Sequence, residues 1–169
     1  MSRTLNFFAE GEFYHLYNRG VEKREIFLNT QDWERFLILL YVCNSEGAVH
    51  LSNKTKISLG EILATSRSDT LVDIGAYCFM PNHFHLLVRE KRNGNISKFM
   101  QKLTTAYTMY FNKKYNRSGA LFQGVFRAEH CDSDNYLKYI YSYIHLNPIK
   151  LIQKNWKEEG IKNLKKARN

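Results

Sequence analysis

Two strand-like runs meet at Met80-Pro81-Asn82, and this junction constrains the fold more than any other feature of the sequence. Residues 71–79 before it and residues 83–88 after it are both largely apolar. Proline has no N–H to donate to a strand ladder, and it disfavours helical geometry at the residue before it. The two runs therefore predict a β-hairpin, which the charged segment 89–94 closes.

A strand and a helix are predicted before the hairpin. Residues 13–18 are aromatic and alternating and stop at Arg19-Gly20, a pattern typical of a strand followed by a turn. Thr30 is a candidate N-cap for a helix in which apolar residues recur every three or four positions. These apolar residues are Trp33, Phe36, Leu37, Leu40 and Tyr41.

A helix, a strand and a final helix are predicted after the hairpin. Residues 96–115 carry a helical apolar stripe, and residues 122–130 form the next strand. Residues 132–134 offer N-caps for a helix that runs to Asn147-Pro148. The order β-α-β-β-α-β followed by a helix predicts an α+β, ferredoxin-like sandwich, in which an antiparallel sheet carries helices on one face. The members of the apolar stripe are Ile96, Phe99, Met100, Leu103, Tyr107, Tyr110 and Phe111.

A chain of 169 residues fits a single domain, and at this length folding can bury roughly 70% of the surface of the unfolded chain. We expect one domain over residues 1–169, with its core at residues 13–152. The stretch 44–70 is polar and is interpreted as a long excursion, whose apolar island around Ile62-Leu63 fits one helical turn. Residues 153–169 form a basic tail.

The charge balance favours a polyanionic partner. Lys and Arg outnumber Asp and Glu by 25 to 16, a formal charge of +9, although charge alone does not establish nucleic-acid binding. Cys43, Cys78 and Cys131 are odd in number and widely spaced, so they form neither a disulfide framework nor a CxxC metal pair. The sequence has no secretion signal and no run long and apolar enough to span a membrane, so we expect a cytoplasmic protein.

His83 and His85 flank Phe84 in the second arm of the hairpin. Side chains alternate along a strand, so the two histidines and Leu87 share one face, while Phe84 and the apolar residues two and four positions on face the core. Two imidazoles roughly 6 to 7 Å apart along a strand can converge on Mn²⁺, Zn²⁺ or, with carboxamides or phosphates, Mg²⁺. By itself the pattern is more often two exposed histidines than a metal site.

The last predicted helix holds four tyrosines, which cannot all face one way. Tyr136, Tyr139, Tyr143 and Asn147 share one side of the helix, and Tyr141 lies on another. An aromatic core helix with polar tips in solvent explains this composition on its own. Tyr143 and Asn147 nevertheless stand one turn apart, a spacing that can place a nucleophile beside a metal ligand. Because a proline follows it, Asn147 is expected to leave helical geometry and to end the helix.

Four separated motifs resemble the single-tyrosine HUH transposases, and within them the REP-associated tyrosine transposases, which are relatives of insertion-sequence transposases. The motifs are FYHLYNRG at residues 13–20, MPNHFHLLV at 80–88, RSGALFQG at 117–124 and YIHLNP at 143–148. The resemblance runs from residue 13 to residue 152, and the motifs follow the order that they have in the family.

The resemblance implies a C-terminal catalytic helix and an enzyme that cleaves and rejoins single-stranded DNA. Tyr143 matches the family's nucleophile, which forms a covalent 5′-phosphotyrosine and needs no ATP. His83 and His85 match the His-hydrophobe-His metal ligands, and Asn147 matches the residue that completes the site for Mg²⁺ or Mn²⁺. Val125 stands where many relatives carry a basic residue, so Arg127 is expected to supply that charge.

The resemblance also implies a partner, single-stranded DNA with hairpins of the REP-like or insertion-end type. The protein is expected to be prokaryotic and nucleoid-associated, and to work as a monomer or a homodimer. Exposed aromatic side chains are expected to stack on unpaired bases. The basic residues expected to bind DNA are Arg19, Lys113, Lys114, Arg117 and Arg127 and, in the tail, Lys154, Lys157, Lys162, Lys165, Lys166 and Arg168, although a terminal charge run is often only solvated.

Two alternatives stay open on the sequence. One is a catalytically silent protein that binds single-stranded DNA, hairpins or RNA on the same fold, against which the presence of His83, His85 and Tyr143 together argues. The other is a zinc-dependent hydrolase that uses the two histidines with His130 or Cys131, although the sequence offers neither a recognisable ligand spacing nor an obvious general base.

Overall fold

Four strands form one antiparallel sheet in the computed structural model, which describes residues 7–47, 59–64 and 69–162. The strands are β1 (Phe13–Arg19), β2 (Val72–Met80), β3 (His83–Glu90) and β4 (Arg127–His130). They pair in the order β2-β3-β1-β4, so β1 and β3 lie in the middle of the sheet. The tight turn at Pro81 joins β2 to β3, which confirms the predicted hairpin.

Helices lie on both faces of this sheet. They are α1 (Thr30–Cys43), α2 (Leu59–Leu63), α3 (Asn95–Lys114), α4 (Asp134–Leu146) and α5 (Trp156–Glu159), with 3-10 helices at Val21–Lys23 and Asn147–Leu151.

The arrangement of these elements confirms the predicted α+β, ferredoxin-like class with an added C-terminal helix. The expectation that the helices lie on one face was wrong, because the buried Ile140 and Ile144 of α4 pack on the second face of the sheet. The helices α1 and α3 contact each other and pack on one face, whereas α4 packs on the other face against β2 and β3. None of the helices in the described part of the chain combines the length and apolar character that crossing a bilayer requires. The helix α2 falls on the predicted apolar island, and residues 48–58 and 65–68 of the polar stretch lie outside the described residues.

The alternation of β3 divides the apolar core in two. Phe84, Leu86 and Val88 are buried in a cluster with side chains of α1 and α3, as their spacing predicts. Leu87, on the opposite face, is buried in a second cluster with Ile144 of α4. The histidine face of β3 is therefore the face that α4 covers.

Three boundaries differ from the predictions. The N-cap of α1 is Asn29 rather than Thr30, because the Asn29 carboxamide accepts a hydrogen bond from the backbone N–H of Asp32 at 3.3 Å. The strand predicted over residues 122–130 is limited to β4, since Gly124 turns the chain at a φ of 69°. Asn147 ends α4 as predicted, but its backbone is helical, with φ −58° and ψ −37°, because the chain continues into a 3-10 helix.

The carboxylate of Asp32 joins α1 to α3. It is 0% exposed and accepts hydrogen bonds from Lys114 at 2.7 Å, Tyr115 at 2.7 Å and Tyr110 at 2.9 Å, and from the backbone N–H of Leu28 at 2.8 Å. These bonds compensate the cost of burying the charge. Burial acts to raise the pKa of Asp32, but the hydrogen bonds from Lys114 and Tyr115 hold it below its ordinary value.

Candidate active site

The strand register aligns polar and apolar side chains in rows on the face that α4 covers. One row runs Cys78, His85, Tyr17, Arg127 from β2 to β4, because these residues are Cα partners on adjacent antiparallel strands. The helix α4 packs on the apolar β2 and β3 end, where Cys78 is buried, whereas Tyr17 and Arg127 of β1 and β4 reach solvent. An open, polar half of the sheet therefore adjoins the buried half.

His83 and His85 lie at the boundary between these halves. Their ring centroids are 5.0 Å apart and their planes are nearly perpendicular, at 89°. Nδ1 of His83 lies 2.6 Å from Oδ1 of Asn82, and Nδ1 of His85 lies 2.9 Å from Nε2 of His15. Nε2 of His85 is buried and has no hydrogen-bond partner. Each ring is thus oriented through one nitrogen.

Both imidazoles are neutral at neutral pH. Burial, together with the nearby His15 and His83, lowers the pKa of His85 to about 3. Burial and the positive charges of Lys150 and Arg19 also lower the pKa of His83. A histidine binds a metal ion through the lone pair of its neutral ring, so both side chains are in the state that a ligand needs.

Tyr143 projects from α4 toward these histidines. Its ring centroid is 5.5 Å from that of His85 and 6.2 Å from that of His15. Two ammonium groups lie against the same ring, Nζ of Lys157 at 4.7 Å and Nζ of Lys150 at 5.5 Å from the centroid. Burial raises the pKa of the Tyr143 phenol, and the charge of Lys157 acts in the opposite direction. The phenol is therefore placed among neutral rings and cations.

Asn147 lies one helical turn after Tyr143, at the end of α4. Its side chain is 0% exposed, and neither Oδ1 nor Nδ2 has a hydrogen-bond partner. A buried carboxamide without partners costs about 1 to 3 kcal/mol, so such a group calls for an explanation in function or in a bound species.

A cavity of about 430 Å³ opens on the polar half of the sheet, beside the histidine pair. His83 lines it together with three cationic side chains, those of Arg19, Lys23 and Arg127. Arg19 also donates a hydrogen bond to the side chain of Gln123, which lies in the loop before β4. The cavity is suited to an anion.

The family model described as "Transposase IS200 like" matches residues 37–147, about two thirds of the chain, and this range contains the histidine pair and α4. The chain belongs to the IS200-like transposase family. A solved structure of a REP-associated tyrosine transposase bound to a REP hairpin is similar to it, with a TM-score of 0.57 and 14% identity over 89% of this chain and 74% of that one. At this identity the likeness concerns the fold. No curated protein sequence matches the chain.

The mixed nitrogen and oxygen donors of the transposase fit a divalent ion such as Mn²⁺, whereas Mg²⁺ would need further oxygen ligands. Two neutral imidazoles and a carboxamide oxygen are the donors that the sequence predicts, and Nε2 of His85 and Oδ1 of Asn147 are both buried and unpaired. No three His, Cys, Asp or Glu side chains within the described residues form a metal cluster. Water or phosphate oxygens would therefore complete the shell, as is usual for Mg²⁺.

The zinc hydrolase alternative finds no support in this arrangement. His130 pairs with Tyr14 across the strands, and Tyr14 is buried with α1 and α3, so His130 lies on the opposite face from His83. Its Nε2 is 2.9 Å from Oε2 of Glu12. Cys131 is buried in the apolar cluster beneath α4.

The basic residues expected to bind DNA fall into separate places in the transposase. Arg19 and Arg127 line the cavity. Lys114 bonds Asp32, and Arg117 bonds Asn112 at 2.8 Å, so both are engaged within the fold. In the tail, Lys157 lies against Tyr143 and Lys162 pairs with Glu159. Lys113 and Lys154 line no cavity described above, and Lys165, Lys166 and Arg168 lie outside the described residues.

The sequence did not single out several residues of this site. His15 and Glu129 form a row with Leu87 and Ala76 and adjoin the histidine pair, and Lys150 lies beside Tyr143. The alternation of residues 13–18 places His15 and Tyr17 on one face, but only the register between β1 and β3 brings them to His85. The one sequence signal for this part of the site was the presence of His15 in the aromatic strand of residues 13–18.

Proposed function

We propose that this transposase cleaves single-stranded DNA beside a hairpin, with Tyr143 as the nucleophile, and rejoins the cut end to another strand. The observation that carries the proposal is the position of Tyr143, whose ring lies 5.5 Å from that of His85 within one chain. Membership of the IS200-like family supports transposition chemistry. A solved transposase of similar fold is bound to a REP hairpin, which supports hairpin DNA as the substrate.

The covalent step exchanges one phosphodiester bond for another. The Tyr143 phenol gives its proton to solvent and its oxygen forms a bond to phosphorus, while the bond from phosphorus to the 3′ oxygen breaks and that oxygen takes a proton from solvent to leave as a 3′-hydroxyl. The 5′ phosphate stays on the tyrosine. Attack by a second 3′-hydroxyl reverses these bond changes and releases Tyr143, so no energy source is consumed.

The phenol must be activated, because burial holds its pKa above the ordinary value. Lys157 contributes, since its ammonium lies 4.7 Å from the ring centroid and favours the phenolate. Mg²⁺ or Mn²⁺, held by His83, His85 and Asn147, would supply further positive charge to the phenolate and to the phosphate oxygens. The two imidazoles suit this role because they are already neutral.

The open half of the sheet is the proposed path of the DNA strand. Arg19, Lys23 and Arg127 present positive charge in the cavity beside His83, where a phosphate would lie. Tyr139 is 56% exposed and stacks on Tyr143, with ring centroids 6.2 Å apart and planes 22° apart. An exposed ring at this position offers a surface on which an unpaired base can stack.

The proposal is tested by incubating the protein with 3′-end-labelled, hairpin-containing single-stranded DNA and Mn²⁺, followed by denaturing electrophoresis. We expect a labelled protein–DNA adduct with wild type that is absent with Tyr143→Phe. Tyr139→Phe is the matched control, because it removes a hydroxyl from the neighbouring ring of the same helix face. It should retain the adduct.

Two results would overturn the assignment. An adduct that survives in Tyr143→Phe and is lost in Tyr139→Phe would move the nucleophile by one turn. Tight binding of hairpin DNA without an adduct, for any hairpin of a varied library, would instead favour a catalytically silent binding protein on the same fold.

A further inference from the structure

His15 contacts the histidine pair without being part of it. It lies on β1, is 5% exposed, and its ring stacks on that of His85 with centroids 5.1 Å apart and planes 23° apart. Its Nε2 lies 2.9 Å from Nδ1 of His85, which is a hydrogen-bonding distance. One of these two nitrogens must carry the proton and donate the hydrogen bond, and the other must accept the hydrogen bond through its lone pair.

A carboxylate decides between the two possibilities. Oε2 of Glu129 lies 3.8 Å from Nδ1 of His15, an ion-pair rather than a hydrogen-bonding distance, and this buried nitrogen has no hydrogen-bond partner. Glu129 is held in place by the hydroxyl of Tyr17, which donates to Oε1 at 2.8 Å, and by that of Tyr136, which donates to Oε2 at 3.0 Å. Burial acts to raise the pKa of Glu129, but these hydrogen bonds keep it below its ordinary value, so the group is charged at neutral pH.

A charged carboxylate favours an N–H over a lone pair on the nitrogen that faces it. The proton of His15 is therefore on Nδ1, which leaves Nε2 of His15 as an acceptor. The Nδ1–H of His85 donates to that acceptor. The lone pair of His85 is then on Nε2, the buried atom without a hydrogen-bond partner.

We propose that His15, oriented by Glu129, is a positioning residue that holds His85 in the tautomer whose Nε2 lone pair is available to a metal ion. The inference rests on the proposed function, since His15 has this role only if His85 binds the metal ion. His15 is not itself a third ligand, because its Nε2 is occupied by His85 and its Nδ1 faces a carboxylate. A second partner that fixes the ring of a metal-binding histidine is a general feature of such sites.

Three variants separate this role from a merely structural one. His15→Phe keeps a stacking ring but removes the acceptor. His15→Gln restores one, because its carbonyl can accept from His85 while its amide donates toward Glu129. His130→Phe is the matched control, since it removes another strand histidine that pairs with a carboxylate, but on the opposite face of the sheet.

Nitrogen-15 NMR of the metal-free protein at neutral pH reports the tautomer directly. We expect the proton of His85 on Nδ1 in wild type, His15→Gln and His130→Phe, and on Nε2 in His15→Phe. Its resonances are assigned by their loss in His85→Ala. A His85 proton on Nε2 in wild type overturns the inference, and this measurement needs no folded His15→Phe.

Binding of Mn²⁺ without DNA, followed by electron paramagnetic resonance, gives the second readout. We expect about 10- to 100-fold weaker binding in His15→Phe, and nearly unchanged binding in the other two variants. If a folded His15→Phe binds Mn²⁺ as tightly as wild type, the inference about His15 is wrong. The proposed function still stands in that case if wild type forms the DNA adduct. If instead wild type shows the expected His85 tautomer but forms no adduct with DNA, the inference about His15 stands and the proposed function fails.

Discussion

Lys114→Met tests whether Lys114 stabilises the fold by neutralising the buried carboxylate of Asp32. The Lys114 side chain is 23% exposed and its Nζ lies 2.7 Å from Oδ1 of Asp32, whose own side chain is 0% exposed. Methionine preserves the aliphatic length and removes the charge. Among the described residues, Asp32 then keeps the hydroxyls of Tyr110 and Tyr115 and the N–H of Leu28 as donors.

Removing one partner of a buried ion pair typically costs about 3 to 5 kcal/mol, because the other charge stays buried. The three remaining donors partly solvate the carboxylate, so we expect a loss near the lower end, about 3 kcal/mol. For a chain of this size, 1 kcal/mol corresponds to roughly 2 to 4 °C in Tm, which gives a decrease of roughly 6 to 12 °C.

The assay is thermal unfolding at neutral pH, with urea unfolding of the same samples to give the free energy. Lys113→Met is the control, since Lys113 is the exposed neighbour on the same helix and its loss should change stability by no more than about 0.5 kcal/mol. Equal stability of the two variants would refute the reasoning that Lys114 neutralises a buried carboxylate.

Three further predictions follow from the same contacts. Arg127→Gln should weaken single-stranded DNA binding and lower the salt dependence of log K by about 0.7, with an unchanged Tm, because Arg127 lines the cavity; a change in Tm alone would contradict this. Since the pKa of Asp32 lies below its ordinary value, its charge stabilises the fold above about pH 4, and this contribution is lost as the pH falls through the lower folded pKa. The stability gap between wild type and Asp32→Asn, followed by urea unfolding, should thus narrow on acidification rather than widen. Removal of divalent ions with a chelator should abolish the adduct but leave hairpin binding, seen by gel shift, largely intact; an adduct formed without metal would exclude the ion from the proposed role.

The order of strands and helices was predictable because each segment has one clear hydrophobic period. The alternation of residues 83–88 also predicted that His83 and His85 leave the core face, and the helical spacing of residues 143 and 147 placed Tyr143 one turn before Asn147. These inferences use only neighbours in the chain, where the geometry of a strand or helix fixes the side-chain directions.

The rest of the site depends on register, which a single sequence does not encode locally. His15 and Glu129 meet because β1 pairs with both β3 and β4 in a particular alignment, and a shift of one residue would turn His15 into the other face. Lys114 was predicted to contact DNA from its charge alone, and its pairing with Asp32 was not predicted because the two residues are far apart in the chain. The strand β4 begins later than predicted, at Arg127, because the chain turns at Gly124, which has a positive φ.

The central claim is that the Tyr143 oxygen becomes bonded to DNA phosphorus. Trapping the adduct with hairpin DNA and Mn²⁺, digesting both components and sequencing the nucleotide-bearing peptide by mass spectrometry tests it most directly. The account predicts a 5′-phosphate linked to the Tyr143 side chain. A nucleotide found on Tyr139, on Tyr141 or on a residue outside α4 would contradict it.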